Sequence, residues 1–278
     1  MANPAPPANP ANPTKITTAT FRQRKAAGEK IVVVTAYDVA FARLADAAGI
    51  DAILVGDTMG MVVQGLGSTL PVTVDDIVYH GRAVARGITR AHLVLDLPFM
   101  SYQASVEEGM RAAGRFMKEG GAHAVKLEGG EEAAELVYRL TRVGVPVMGH
   151  LGMTPQSVHS FGGWKLQGRT DAQRTKILAG AKALSDAGAY GIVLETMPAG
   201  LAAEVTAAVP AVTIGIGAGP SCDGQVLVMH DILGMDPDWA PRFVRRYAQL
   251  GEEIQKAFSA YADDVRAGRF PGKNESYE

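Results

Sequence analysis

Short apolar runs alternate with amphipathic stretches along almost all of this chain, and nearly every apolar run ends in an acid, a base or a glycine. Runs at 31–35, 52–55, 93–95, 124–125, 145–148, 192–194, 212–216 and 226–229 read as strands. They are close to continuously apolar rather than alternating, as parallel strands covered on both faces are. Helix-period stretches lie between and after them, at 40–48, 74–86, 105–119, 131–143, 171–187, 201–208 and 239–267,. Gly49, Gly87, Gly120, Gly144 and Gly188 sit where C-caps would end such helices,. The segments 118–126 and 186–193 share one logic: a helix end, Gly-Ala, then a strand.

About eight strands in strict alternation with helices predict an α/β fold, a closed (βα)8 TIM barrel, for which about 250 residues is typical. The chain has 278. An open doubly wound sheet is the competing architecture, but no G-x-G-x-x-G follows the first strand,. No shift in composition marks a second domain, so a single barrel domain is expected over 15–268. Residues 1–14 form a Pro/Ala/Asn leader with nothing to bury, read as a disordered extension,. Residues 269–278 read as a polar surface tail,.

The barrel explains why polar residues collect at the downstream ends of the strands, because such barrels build their active sites there. In chain order these ends carry Tyr37 and Asp38, then Asp57 and Thr58, Asp96, Lys126 and Glu128, His150, Glu195, the glycines 215–219, and His230 with Asp231. The pattern points to an enzyme before any motif is considered.

Asp57, Asp96 and Glu128 come from neighbouring strands. Singly, an aspartate there could cap a turn or helix. Together the carboxylates repel one another unless a cation sits among them, and oxygen-only ligands suit a hard divalent ion such as Mg²⁺. Lys126 shares a strand face with Glu128 and needs an anionic partner, either a neighbouring carboxylate or a substrate anion,. Glu195 emerges directly from a buried run and is placed either for proton transfer or to cap the helix that follows,. His150 could hydrogen-bond substrate, orient Glu195, or be a satisfied core residue,. His80, His92, His123 and His159 show no zinc-ligand spacing,. The glycines 215–219 could admit an anion or only permit a tight turn,. Long connections at 60–73 and 152–170 lie on the same face and could act as lids or as oligomer contacts,.

Composition narrows the partners. A net charge of −2 gives no electrostatic case for nucleic acid or an anionic membrane,. No apolar run approaches the roughly 20 residues that span a bilayer, and the start carries no basic and apolar signal segment,. An apolar fraction of 47% and a mean hydropathy of +0.05 are ordinary for a compact enzyme,. Cys222 is the single cysteine, which rules out an intramolecular disulfide and fits a reducing, cytoplasmic setting,. It has no obvious base nearby in sequence and is not read as a nucleophile.

Several segments, in order, resemble the ketopantoate hydroxymethyltransferase family. They are Thr35-Ala36-Tyr37-Asp38, Val55-Gly56-Asp57, Thr69-Leu70-Pro71-Val72-Thr73, Asp96-Leu97-Pro98-Phe99 and Val125-Lys126-Leu127-Glu128-Gly129-Gly130, then Gly149-His150-Leu151-Gly152, Thr154-Pro155-Gln156-Ser157-Val158, the glycines 215–219 and Asp223-Gly224-Gln225. The resemblance runs from about Thr17 to the C-terminal tail. It implies a TIM barrel of the phosphoenolpyruvate/pyruvate-binding type. It implies transfer of a hydroxymethyl group from 5,10-methylenetetrahydrofolate to 3-methyl-2-oxobutanoate, for pantothenate biosynthesis. Carried over by motif, Asp57 and Asp96 would ligate Mg²⁺ with Glu128 as a further, water-mediated ligand. Asp57, Thr58, Asp96 and Lys126 would line the oxoacid site, and Glu195 would accept the proton. A homo-oligomer, a decamer, is also implied. The family has serine where this chain has Thr58, which keeps the hydroxyl but restricts its rotamer,. Two other readings compete: a carbon–carbon lyase of the same barrel group, and a non-catalytic metabolite-binding barrel. The lyases carry a cysteine in a Lys-x-Cys-Gly-His type motif, which this chain lacks. A mere binding barrel has no need of Glu195 beside the full set of carboxylates.

Overall fold

The computed structural model describes residues 14–239 and 241–277, so the leader expected at 1–14 lies, but for Thr14, outside the described residues. Eight strands close into a parallel barrel in sequence order. They are β1 (Ile31–Thr35), β2 (Ala52–Val55), β3 (His92–Asp96), β4 (Ala124–Lys126), β5 (Val147–Gly152), β6 (Gly191–Glu195), β7 (Val212–Ile216) and β8 (Gly224–Leu227). The Ile31 N–H donating to the Asp223 carbonyl at 3.0 Å helps to join the last strand to the first. The register sets Asp96 beside Lys126 and Gly152 beside Glu195, so the polar strand ends stand at matching heights. Ala52, Leu54, Val94, Ala124, Met148, Val193, Val212 and Ile214 are part of the packed core, and β2, β3 and β4 are buried at every position.

Two strands shift from their expected places. Apolar content placed the fifth at 145–148, but pairing with β6 carries β5 on through Gly149-His150-Leu151-Gly152. The eighth begins at Gly224 because its pairing, not its apolar run, fixes it; a Cβ on Gly224 would come 2.4 Å from the Ile31 carbonyl oxygen.

The helices mostly fall where the 3.6-residue period put them: α2 (Val39–Ala47), α4 (Val74–Ala85), α5 (Val106–Arg115), α6 (Ala134–Arg142), α7 (Asp171–Asp186) and α8 (Ala199–Ala208). Thr73 and Thr170 close capping boxes on α4 and α7, satisfying N–H groups that the first turn leaves unpaired,. α5 ends in a π turn, Phe116–Gly120, so the left-handed cap falls on Gly121 (φ 76°) and not on Gly120,. The stretch at 131–143 begins as a 3-10 turn, Glu131–Ala133. The last helix, α10 (Leu250–Arg266), starts later than the expected 239, downstream of Pro237 and Pro241,.

Helices α1 (Thr18–Ala27) and α3 (Met59–Val62) were not expected. α1 is built of polar residues and alanines around Phe21, its one buried residue. That ring lies 5.4 Å from His92 and 5.5 Å from Tyr190, at the amino-terminal ends of β3 and β6. His92 Nε2 is 3.1 Å from the Tyr190 hydroxyl. Burial, helped by neighbouring His123, pushes the His92 pKa down to about 3, so it stays neutral there. Arg24 and Arg90 grip the buried Asp51 at 2.6 and 2.7 Å. α1 thus seals the end of the barrel opposite the polar strand ends. Phe21→Ala is expected to cost about 3–5 kcal/mol, read as a lower urea midpoint at an unchanged slope.

The chain divides into two compact units, Met1–Val226 and Leu227–Glu278. In the second, α9 (Met229–Ile232) is tied to the approach of α10 by the Tyr247 N–H donating to the Ile232 carbonyl (2.7 Å). Among the described residues, no helix is long and apolar enough to cross a membrane.

Candidate active site

The site lies wholly in the first unit, where β2 to β6 end. Asp96 and Lys126, the last residues of β3 and β4, form a buried ion pair with Lys126 Nζ donating to Asp96 Oδ2 at 2.6 Å. Asp57 is buried just past β2, and Glu128 just past β4. His150 on β5 stands between two carboxylates. Its Nε2 is 3.2 Å from Glu195 Oε2 and its Nδ1 is 3.6 Å from Glu128 Oε1, in each case as an ion contact without hydrogen-bond alignment. Thr58 is half-buried at the start of α3, and its hydroxyl makes no capping bond there. The structure therefore brings Asp57, Thr58, Asp96, Lys126, Glu128, His150 and Glu195 to one end of the barrel.

Gln156 completes the cluster, and sequence reasoning gave it no role. A 3-10 turn, Pro155–Ser157, aims its backbone N–H at Glu128 Oε2 (3.0 Å). Its side-chain Nε2 donates to Asp57 Oδ2 and to the Leu97 carbonyl, both at 2.9 Å. The Leu97 carbonyl cannot donate, so the amide has only one workable orientation,. Its Oε1 accepts from Gln103 Nε2 at 2.8 Å and lies 3.1 Å from the Tyr102 hydroxyl. Tyr102 in turn accepts from the Glu128 N–H (3.0 Å) and reaches the Glu128 carbonyl (2.9 Å). One neutral residue thus fixes carboxylates from two different strands. Gln156 stands in a motif that carried the resemblance, but an uncharged side chain gave no chemical signal in the sequence.

The charges are unbalanced. Burial, then the Asp96 and Glu128 charges, hold the Asp57 carboxyl well above the usual carboxylate range, and Lys126 and Gln156 offset only part of this. Burial alone would strip the proton from Lys126, but Asp96, Glu128 and Asp57 outweigh it and raise its pKa. Burial and Lys126 push His150 down, yet Glu128 and Glu195 prevail and lift it to about 9. Asp96 Oδ1 and Glu128 Oε1 are buried acceptors without a hydrogen-bond partner. Such orphaned oxygens on adjacent strands, in a set of oxygen donors with excess negative charge, fit a hard divalent cation. Among the described residues, no three acid, His or Cys side chains converge closely enough to hold an ion by themselves. The fit is therefore to an ion that keeps places for water and substrate oxygens.

The raised His150 pKa has a consequence for the metal-free protein. Its stabilising contribution is present below about pH 6.5 and is lost as pH rises through about 9,. In EDTA-treated protein, the gap in unfolding free energy between wild type and His150→Gln should narrow across that window, as read by urea titrations at successive pH values.

The connection at 152–170 is anchored to β6 at both ends. The Met153 N–H donates to the Glu195 carbonyl (2.9 Å), and the Gln167 N–H to the Thr196 carbonyl (3.0 Å). A Cβ on Gly152 would sit 2.1 Å from the Glu195 oxygen, which accounts for glycine there. Thr196 itself has φ 46°, a costly conformation for a β-branched residue and one that collects at functional sites,. The glycines 215–219 serve packing, since a Cβ on Gly219 would lie 2.5 Å from the Ala199 Cβ. Cys222 is buried, and burial pushes its thiol pKa up, which does not suit a nucleophile,.

Comparison with known proteins shows the family and the fold. The sequence pattern of the family described as ketopantoate hydroxymethyltransferase matches residues 15–273. The 3-methyl-2-oxobutanoate hydroxymethyltransferase of Syntrophus aciditrophicus is 54% identical over 263 residues, covering 95% of this chain and 97% of the relative. That of Thermus thermophilus is 55% identical over 254 residues, covering 91% and 97%. Among solved structures, phosphonopyruvate hydrolase superposes with a TM-score of 0.62 at 12% identity, covering 95% of this chain and 92% of that one. A 2,3-dimethylmalate lyase of the PEP mutase/isocitrate lyase superfamily does so at 0.58 and 16%, covering 96% and 93%. These last two share the barrel; the sequence matches, spanning nearly every described residue and all of the strand-end cluster, make this chain a member of the ketopantoate hydroxymethyltransferase family.

Proposed function

We propose that this chain transfers a hydroxymethyl group from 5,10-methylenetetrahydrofolate to 3-methyl-2-oxobutanoate, in the pantothenate pathway. Water adds to the folate methylene carbon and its bonds to the two folate nitrogens break, giving tetrahydrofolate and the one-carbon unit at the aldehyde level; the enolate carbon of the oxoacid adds to that carbon, the aldehyde oxygen takes a proton to become the hydroxyl, and 2-dehydropantoate leaves. The observation that supports this reading is the run Glu195–His150–Glu128 beside Lys126–Asp96, in which Glu195 would be the proton acceptor and Lys126 the fixed positive charge.

Each residue has a task in it. Asp57 and Asp96 would hold Mg²⁺, with Glu128 acting through water. The ion would supply Lewis acidity that favours formation of an enolate. Lys126 places positive potential where negative charge develops. Glu195 takes the C3 proton. His150, 3.2 Å from Glu195, orients that carboxylate and faces the oxoacid. Thr58 offers its hydroxyl to the oxoacid. The lyase alternative has no support here, because the one cysteine is buried away from the strand ends that carry the cluster. We read the enzyme as cytoplasmic and, from its motifs, as a homo-oligomer of the decameric kind.

The test is solvent exchange. Protein, Mg²⁺ and 3-methyl-2-oxobutanoate in D₂O, without folate, should exchange the C3 proton at a rate that EDTA abolishes. Folded, metal-loaded protein that leaves C3 unexchanged would overturn the reading.

A further inference from the structure

The carboxylates proposed above as ligands share a feature: each has one oxygen already committed to a donor. Lys126 Nζ donates to Asp96 Oδ2 at 2.6 Å. The Gln156 side chain donates to Asp57 Oδ2 at 2.9 Å, and the Gln156 backbone N–H to Glu128 Oε2 at 3.0 Å. The second oxygens of Asp96 and Glu128 are buried and have no hydrogen-bond partner. Gln156 is itself held from behind. Its Nε2 also donates to the Leu97 carbonyl at 2.9 Å, and its Oε1 accepts from Gln103 at 2.8 Å and lies 3.1 Å from the Tyr102 hydroxyl. The amide cannot turn without breaking several bonds of a buried network,.

A committed oxygen is lost to chelation. To clasp an ion with both oxygens a carboxylate must turn both towards it, and here that would strand a buried donor, which is costly. Each carboxylate therefore has at most one oxygen to give. Ca²⁺ gathers about 6–8 oxygens at roughly 2.3–2.6 Å and draws on bidentate carboxylates, whereas Mg²⁺ is smaller, octahedral and keeps several waters. From this we infer that Gln156 is a positioning residue that sets the choice of metal: by pinning Asp57 and Glu128 so that each offers a single oxygen, it makes the site select Mg²⁺ against Ca²⁺. The inference rests on the metal-dependent function proposed above. An uncharged tether also suits the task. A lysine could hold the same oxygens but would repel the ion, while an amide holds them and leaves their negative charge for the cation.

The test reads a ratio rather than an activity. Gln156→Met keeps the length of the side chain and its backbone N–H but removes the amide. Titration calorimetry with Mg²⁺ and with Ca²⁺, in the presence of 3-methyl-2-oxobutanoate, gives the two Kd values. Wild type should bind Mg²⁺ the more tightly. In the variant the Mg²⁺ Kd should rise about 10–100-fold, the usual cost of losing an outer partner of a metal ligand. The Ca²⁺ Kd should not rise with it, so the preference for Mg²⁺ should fall by about tenfold or more. A general loosening of the site would raise both Kd values together, and an unchanged ratio in the folded variant would overturn the inference. A wild type that binds Ca²⁺ as tightly as Mg²⁺, or binds neither, would overturn it too. If Gln156→Met fails to fold, Gln103→Ala, an exposed residue that steadies the amide from its far side, decides by the same ratio. A preference lowered beyond about twofold, the size of an indirect effect, upholds the inference, and an unmoved one sinks it. C3 exchange keeps the two proposals apart. A shifted ratio in a protein that never exchanges C3 would uphold the role of Gln156 and sink the proposed chemistry, whereas exchange with an unmoved ratio would sink only the role of Gln156.

Discussion

Glu195→Gln is expected to cut turnover by roughly 10²–10⁴, the usual worth of a positioned general base. The substitution keeps shape and removes the proton acceptor. In the proposed mechanism the oxoacid is held elsewhere, at Asp57, Asp96 and Lys126, so its dissociation constant should hold within about twofold. C3 exchange in D₂O should fall in parallel with turnover, because both need the proton removed. The split between intact binding and lost exchange carries the assignment. A variant that exchanges C3 at the wild-type rate would show that another group takes the proton. His150 is the first to examine, at 3.2 Å from Glu195.

Asp96→Ala should remove the Mg²⁺ dependence of oxoacid binding. Asp96 contributes one of the orphaned buried oxygens and the partner of Lys126. Breaking a buried pair typically costs about 3–5 kcal/mol. Here the loss should fall at the lower end, because Lys126 keeps the Glu128 and Asp57 charges nearby. Thermal unfolding will show whether the variant is folded at the assay temperature, and calorimetry with and without Mg²⁺ then gives the answer. Undiminished metal-dependent binding in the folded variant would remove Asp96 from the metal site.

The sequence was most legible where burial and chemistry reinforce each other. Asp57, Asp96, Lys126, Glu128, His150 and Glu195 stand out because a charged or basic group at the end of an apolar run is conspicuous. Gln156 did not stand out, because its importance lies in whom it touches: Asp57, Glu128 and Tyr102 are distant in sequence and meet only in the folded barrel. Helix α1 was hidden for a related reason. Its single buried ring, Phe21, gives no periodic apolar face to detect. Strands β5 and β8 were displaced because pairing with neighbours, rather than apolar content, fixed their limits. The start of α10 was overrun because the helix-period pattern was read upstream across Pro241 and the irregular stretch at 242–249.

Helix α1 also constrains how this protein is made. Lys25 reaches Asp223 at 2.8 Å and the Ala211 carbonyl at 2.9 Å, and the Asp223 partner lies 198 residues further along the chain. At roughly 5–20 residues per second on the ribosome, that gap takes about 10–40 s to translate. Helix α1 therefore waits for the residue just before β8 before its lysine is paired. Until then the ring of Phe21 has only an unfinished barrel to cover.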